Sequence, residues 1–142
     1  MIVLKPVSKE RIWGTPRLHQ YSGDSHIDRI GSVYSVSGIE ALSNEILAGD
    51  EHRTLYEAVK AAPEKFGITA GFDYPIIISL TSADENLSIQ VHPTDEYAIT
   101  HENALYGKSE SWYFIEPPSE GWIYADSLIE DKREIKRSIL NG

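Results

Sequence analysis

Along LSIQVHPTDEYA, Leu87 to Ala98, apolar and polar positions alternate and then stop alternating. Leu87, Ile89 and Val91 are apolar, while Ser88, Gln90 and His92 are polar. A period of two is strand periodicity, so this segment is predicted as a strand with one apolar and one polar face. Pro93 breaks it, and Thr94 can cap a short helix through Ala98 and beyond. The polar face carries a hydroxyl, an amide and an imidazole in a row. A row of this kind is more often a solvated face than a metal site, and by periodicity alone metal binding is the minority outcome.

The same pattern predicts further strands. IVLKPV, RIGSVYSVSG and SNEILAGDE read as short strands, and KERIWGTPRL holds a Gly-Thr-Pro turn. YPIIISLTSA, Tyr74 to Ala83, has a continuous apolar run that predicts a buried strand. ESWYFIE and GWIYAD, separated by PPSEG, predict an antiparallel hairpin with a longer loop. Elsewhere the period lengthens. Leu55, Ala58, Val59 and Ala62 follow i, i+3, i+4, i+7, and Thr54 with Glu57 forms a capping box ahead of them. SLIEDKREIKRSILNG predicts a terminal helix with a partial apolar stripe. Strands dominate the middle and helices flank them. The fold class predicted is mainly β, a jelly roll or sandwich with added helices, in one domain over 1–142.

Composition narrows the chemistry. The chain has 142 residues, 41% of them apolar, which is enough for a core without staples. It has no cysteine, so disulfides and thiolate metal sites are excluded. No apolar run approaches the roughly 20 residues needed to span a bilayer. The N-terminal MIVLKPVSKERIWG is charged too early for a signal peptide. A cytoplasmic protein with no membrane partner is expected. The formal charge is −9, and KREIKR is the only basic cluster, so no nucleic-acid partner is expected.

A second set of chemistry-bearing residues follows the first. In GKSESWYF, Lys108, Glu110 and Trp112 share one parity. If this strand lies beside the first, Gln90, His92 and Glu110 converge, and an amide oxygen, an imidazole and a carboxylate suit a borderline divalent ion such as zinc. Lys108 and Glu110 can equally be surface charges beside a turn at Gly107.

These residues resemble a known family. ADENLSIQVHPTDEYA followed by GKSESWYFIE is similar to the type I mannose-6-phosphate isomerases, the zinc-dependent cupin family of phosphomannose isomerases. Their pattern is D-x-x-x-L-S-[IV]-Q-x-H-P-[DN]-x-x-x-A, then G-K-x-E-x-W-Y. Leu87, Ser88, Gln90, His92, Pro93 and Ala98 match the first part. Gly107, Lys108, Glu110, Trp112 and Tyr113 match the second. The resemblance implies a cupin jelly roll with helical insertions and interconversion of mannose 6-phosphate and fructose 6-phosphate. It implies Gln90, His92 and Glu110 as ligands of one Zn2+ or other divalent ion per chain. It places Lys108 at the active site and Ser88 near the sugar phosphate of a hexose 6-phosphate. Lys108 could serve as the proton-shuttling base or as a charged contact to substrate oxygens.

The chain also departs from the family. It covers somewhat under half of the pattern, without the stretch that carries a fourth ligand, a His, and a substrate-binding Arg. His101 is its last histidine. Ser32 and Tyr34 replace a Glu and a Trp, Thr15 replaces a Gly, and Ser79 and Ser82 replace a Lys and an Asp. The expectation is therefore an incomplete jelly roll, weakly active or inactive alone, that pairs with its own copy or with a complementing C-terminal chain. The alternative is a non-catalytic cupin module that binds a sugar or a metal.

Overall fold

Period-two segments in the first half of the chain become strands wherever they find a neighbour. The computed structural model describes residues 1–24, 26–125 and 128–141. It divides into two compact units, Met1–Gly107 and Lys108–Gly142.

In the first unit, IVLKPV is split at Lys5–Pro6 into β1 (Val3–Leu4) and the start of β2 (Val7–Thr15). Proline has no N–H to give a ladder, and Lys5 instead donates its N–H to Glu45 O at 2.9 Å. β3 (Ile30–Val36), β4 (Ile46–Ala48) and β5 (Ile78–Thr81) follow. β1 pairs with β4, and β2, β3 and β5 form a three-stranded antiparallel sheet in that order. The register of β2 on β3 slips between Glu10 and Thr15, both of which oppose Ile30. β2 thus carries the strand through Gly14 and Thr15, and the turn expected there begins only at Pro16, in the 3-10 turn Pro16–Tyr21.

Leu18, Ile30 and Val33 form the core of this sheet, with Ile27 and Leu80 packed against it. α1 (Leu55–Ala61) buries Leu55, Ala58 and Val59, and its capping box is complete. Thr54 Oγ1 accepts from Glu57 N at 3.2 Å, and Glu57 Oε2 accepts from Thr54 N at 3.1 Å. α2 (Asp95–His101) is capped by Thr94, whose hydroxyl accepts from Tyr97 N at 3.3 Å, and buries Ala98.

Four expected strands differ. YPIIISLTSA forms a ladder only over Ile78–Thr81, and Ile76, Ile77 and Ile78 are exposed rather than buried. The reason is that β5 pairs with β3 along one edge, and no described strand pairs with the other. Residues 87–92 are in no ladder, and Ile89 and Val91 are 85% and 88% exposed. In the second unit, the described residues of ESWYFIE and GWIYAD form no hairpin ladder. The turn between them does form: Gly121, at φ +76°, donates its N–H to Pro118 O at 2.9 Å. Asp126 and Ser127, at the end of the expected hairpin and the start of the expected helix, lie outside the described residues, as does Gly142. α3 (Lys132–Asn141) is the terminal helix. Among the described residues, no helix is long and apolar enough to cross a membrane.

Candidate metal centre

Even without a ladder, the chemistry-bearing residues keep their two-residue spacing in space. Gln90 Nε2 donates to Ser88 Oγ at 2.9 Å. In the second unit, Lys108 Nζ lies 2.6 Å from Glu110 Oε2, and Trp112 Nε1 donates to Glu110 Oε1. Each contact joins residues i and i+2, as the side chains of one strand face do. Ser88, Gln90, Lys108, Glu110 and Trp112 are exposed, and His92 is half-buried beside Pro93.

The donor set can be tested against a divalent ion one residue at a time. Turning the Gln90 amide nitrogen toward Ser88 leaves the amide oxygen, the ligating atom, facing away from that bond. Glu110 accepts from Trp112 and pairs with Lys108, and a carboxylate is the kind of oxygen donor a divalent cation takes. Outer partners of this kind orient a ligating carboxylate. His92 supplies an imidazole nitrogen. The residues of each segment thus fit an oxygen–nitrogen set for zinc. Among the described residues, no group of three or more His, Cys, Asp and Glu side chains could hold a metal ion. The proposed set contains one His and one Glu, and its third member is an amide.

The segment between the two motif halves is anchored by residues that sequence reasoning did not single out for this role. Gly107 N donates to Asp95 Oδ1 at 2.8 Å. A β carbon on Gly107 would sit 2.6 Å from Thr94 C and 2.8 Å from Thr94 O, and would also collide with Pro93 O. Glycine is needed here for close approach of two backbones. Asn103 adopts φ +52°, and Ala104 N reaches back to Ala98 O at 3.2 Å, which turns the chain at the end of α2. One residue before Gly107, burial pushes the Tyr106 phenol up, and Asp73 adds to the effect. Asp73 itself pairs with Lys60 of α1 at 3.0 Å, and this hydrogen bond raises the Lys60 ammonium above its ordinary value. The glycine was visible in the motif. Its contact with Thr94 was not, because the contact depends on how the chain closes.

The comparisons now bear on this geometry. Among solved structures, the chain matches the mannose 6-phosphate isomerase from Bacillus subtilis with a TM-score of 0.66 and 32% identity, over 75% of this chain and 34% of that one. That match defines the class as a mainly β, cupin-type jelly roll with flanking helices, here incomplete. In sequence, the chain is 36% identical to the probable mannose-6-phosphate isomerase GmuF and 33% identical to the mannose-6-phosphate isomerase ManA, both from Bacillus subtilis strain 168. Each match covers 99% of this chain and 45% of the relative. A mannose-6-phosphate isomerase of Streptococcus mutans is 29% identical over the same shares. No protein-family model matches the chain. The chain is similar, along nearly its whole length, to the N-terminal part of the type I mannose-6-phosphate isomerases. It spans about half the length of the curated relatives it matches.

Proposed function

We propose that this chain is the metal-holding part of a mannose-6-phosphate isomerase. Gln90, His92 and Glu110 hold one zinc or other divalent ion, and Lys108 and Ser88 face a hexose 6-phosphate. The observation that carries this reading is the similarity to named mannose-6-phosphate isomerases over 99% of the chain, including the segments that bear these five residues.

In aldose–ketose isomerisation a proton moves between two adjacent carbons and negative charge develops on the sugar oxygens. A bound divalent ion supplies positive charge that stabilises those oxygens. The chain's own residues do the rest. Ser88 Oγ accepts from Gln90, which leaves the hydroxyl hydrogen to donate to a phosphate oxygen. Lys108 pairs with Glu110, and in this reading it acts on the substrate as a base when its amine is neutral or as a charged contact when it is protonated. The formal charge of −9 repels a sugar phosphate at long range, so a local cation matters more than it would on a neutral protein. A cytoplasmic setting is part of this proposal, supported by the fact that a phosphorylated hexose does not cross a bilayer unaided and so stays where metabolism makes it. The partner is a polypeptide that covers the exposed apolar segments, either a second copy or a complementing C-terminal chain.

The test is metal content. The purified chain should carry one zinc per molecule after dialysis against trace zinc, and His92→Ala should lose it. A His92→Ala variant with wild-type zinc content overturns the ligand assignment. A second reading, a non-catalytic cupin module that binds a sugar or a metal, draws support from the three-residue donor set, which lacks a fourth protein ligand. Zinc binding without turnover in the presence of a complementing C-terminal half would favour it.

A further inference from the structure

Residues 87–92 carry Ser88, Gln90 and His92 but lie in no ladder among the described residues. Ordering such a stretch costs conformational entropy, and fastening its ends lowers that cost. Its C-terminal end runs into Pro93 and Thr94, which pack against Gly107 of the same unit. Its N-terminal end leaves the loop 83–86, and this loop is latched to the first sheet. Ser82 N donates to Gly31 O at 3.3 Å, and Asp84 N donates to Trp13 O at 3.1 Å. Arg17 pairs with Asp84 at 3.7 Å. Arg29 donates from Nε to Gly14 O at 3.0 Å and from Nη2 to Glu85 Oε1 at 3.3 Å. Arg29 thus joins three segments: the end of β2, its own place before β3, and the loop. Asp84 and Glu85 are adjacent like charges, and each has one arginine beside it. Both pairs are exposed, and exposed pairs contribute little to stability. What they give is direction, because Glu85 stands three residues before Ser88 and five before Gln90.

We infer that Arg29 is a positioning residue: by bridging Gly14 and Glu85 it fixes the point from which the segment bearing Ser88, Gln90 and His92 departs, and so presets Gln90 and His92 for their ion. The inference rests on the metal assignment proposed above, and both ligands it concerns lie with the latch in the Met1–Gly107 unit. Arg29 acts without touching the ion. A guanidinium suits the task because its donors form a rigid fork, so one side chain holds a carbonyl with Nε and a carboxylate with Nη2 at once. An ammonium of equal charge has no such fixed angle. Without Arg29, Glu85 stands unneutralised beside Asp84, and the segment after it turns more freely. The ion must then select its ligand geometry from a wider ensemble, which costs affinity.

Zinc dissociation constants, measured on the full chain by competition with a chromophoric chelator, test this. Arg29→Ala and Glu85→Ala should each weaken zinc by about threefold to tenfold, the range for residues that act on a ligand site without touching the ligand. Glu85→Gln keeps an oxygen acceptor and should recover most of the affinity, whereas Arg29→Lys keeps the charge without the fork and should recover little. The double variant should lose no more than Arg29→Ala alone, because the two residues act through one bond. Lys5→Ala removes a comparable exposed pair, Lys5 with Glu45 at 3.6 Å, and should leave the zinc affinity unchanged. Nitrogen-15 relaxation adds a readout that a merely structural role would not move. The backbone order parameters of Ser88, Ile89 and Gln90 should fall in metal-free Glu85→Ala, while that of Val33 in β3 stays. Circular dichroism checks that each variant folds. If Arg29→Ala does not, Glu85→Ala carries the test, since it removes an exposed side chain and leaves the bond to Gly14 in place. Unchanged order parameters or unchanged zinc affinity in Glu85→Ala, or losses that add fully in the double variant, overturn the role of Arg29 while leaving the ligands standing. A wild-type chain that takes up no zinc overturns the metal assignment, and the presetting of Gln90 and His92 with it.

Discussion

Asn44 shows how much one polar residue can hold when it is fully buried. Its amide nitrogen donates to Lys5 O and Tyr34 O, each at 2.9 Å, and its amide oxygen accepts from Ser37 N at 2.5 Å. Its backbone adds bonds from Asn44 N to Ser37 O and from Leu55 N to Asn44 O. One side chain thus ties the β1–β2 junction to the end of β3. Asn44→Ala leaves three backbone groups without partners, each unmade bond costing about 1–3 kcal/mol where water cannot enter. The expected loss of stability is at least about 3 kcal/mol, read as a lower midpoint in urea unfolding at unchanged slope. Asn44→Asp should fare no better, because a carboxylate cannot donate to two carbonyls. In the sequence, Asn44 looks like a turn former beside Ser43. Its role was not legible because its partners lie up to 39 residues away. That Ser88 shares a side of the chain with Gln90, and Lys108 with Glu110, was legible from two-residue parity; that each pair is in contact was not. The Asp95–Gly107 bond, like Asn44, depends on chain closure and left no periodic signal.

Elements were legible in proportion to how local their causes are. α1 was read from four apolar positions and a capping box, and the box is present atom for atom. Thr54→Ala removes one half of it and should cost about 1 kcal/mol, measured by thermal or chemical unfolding, with Thr54→Ser nearly neutral. α2 follows Thr94 by the same logic. Strands obey a different rule. Alternation makes a segment suitable for a sheet, but a strand exists only when another backbone accepts its hydrogen bonds. β3 has two such neighbours and β5 has one. Residues 87–92 alternate as well, and 110–116 carry a run of strand-forming aromatic and β-branched residues, yet neither has a ladder in the described structure. The slip of β2 between Glu10 and Thr15 was likewise invisible, because register is set by the pair of strands together.

At the scale of the whole molecule, the two facts that matter are the share of the family that the chain spans and the apolar surface it shows. A jelly roll uses about eight strands in two sheets, and five short ones are present among the described residues. Ile89, Val91, Tyr113 and Ile115 are left exposed. On the function proposed above, mannose 6-phosphate turnover by these 142 residues alone should be at least about a hundredfold below that reached when a C-terminal half from a relative is added, the usual cost of lacking one preorganised charged group. Equal rates with and without the added half would refute this. Light scattering at micromolar concentration should show a species larger than 15.9 kDa, as a second copy or the added half covers the apolar segments. The chain's three tryptophans offer a way to watch that happen. Trp13, in the first unit, is 4% exposed, whereas Trp112 and Trp122, in the second, are 54% and 51% exposed. A soluble quencher should dim the red-shifted emission of the latter two and spare the blue-shifted light of Trp13. One cuvette can thus report each unit in its own colour, and a partner that settles on the second unit will announce itself as a loss of quenching there alone.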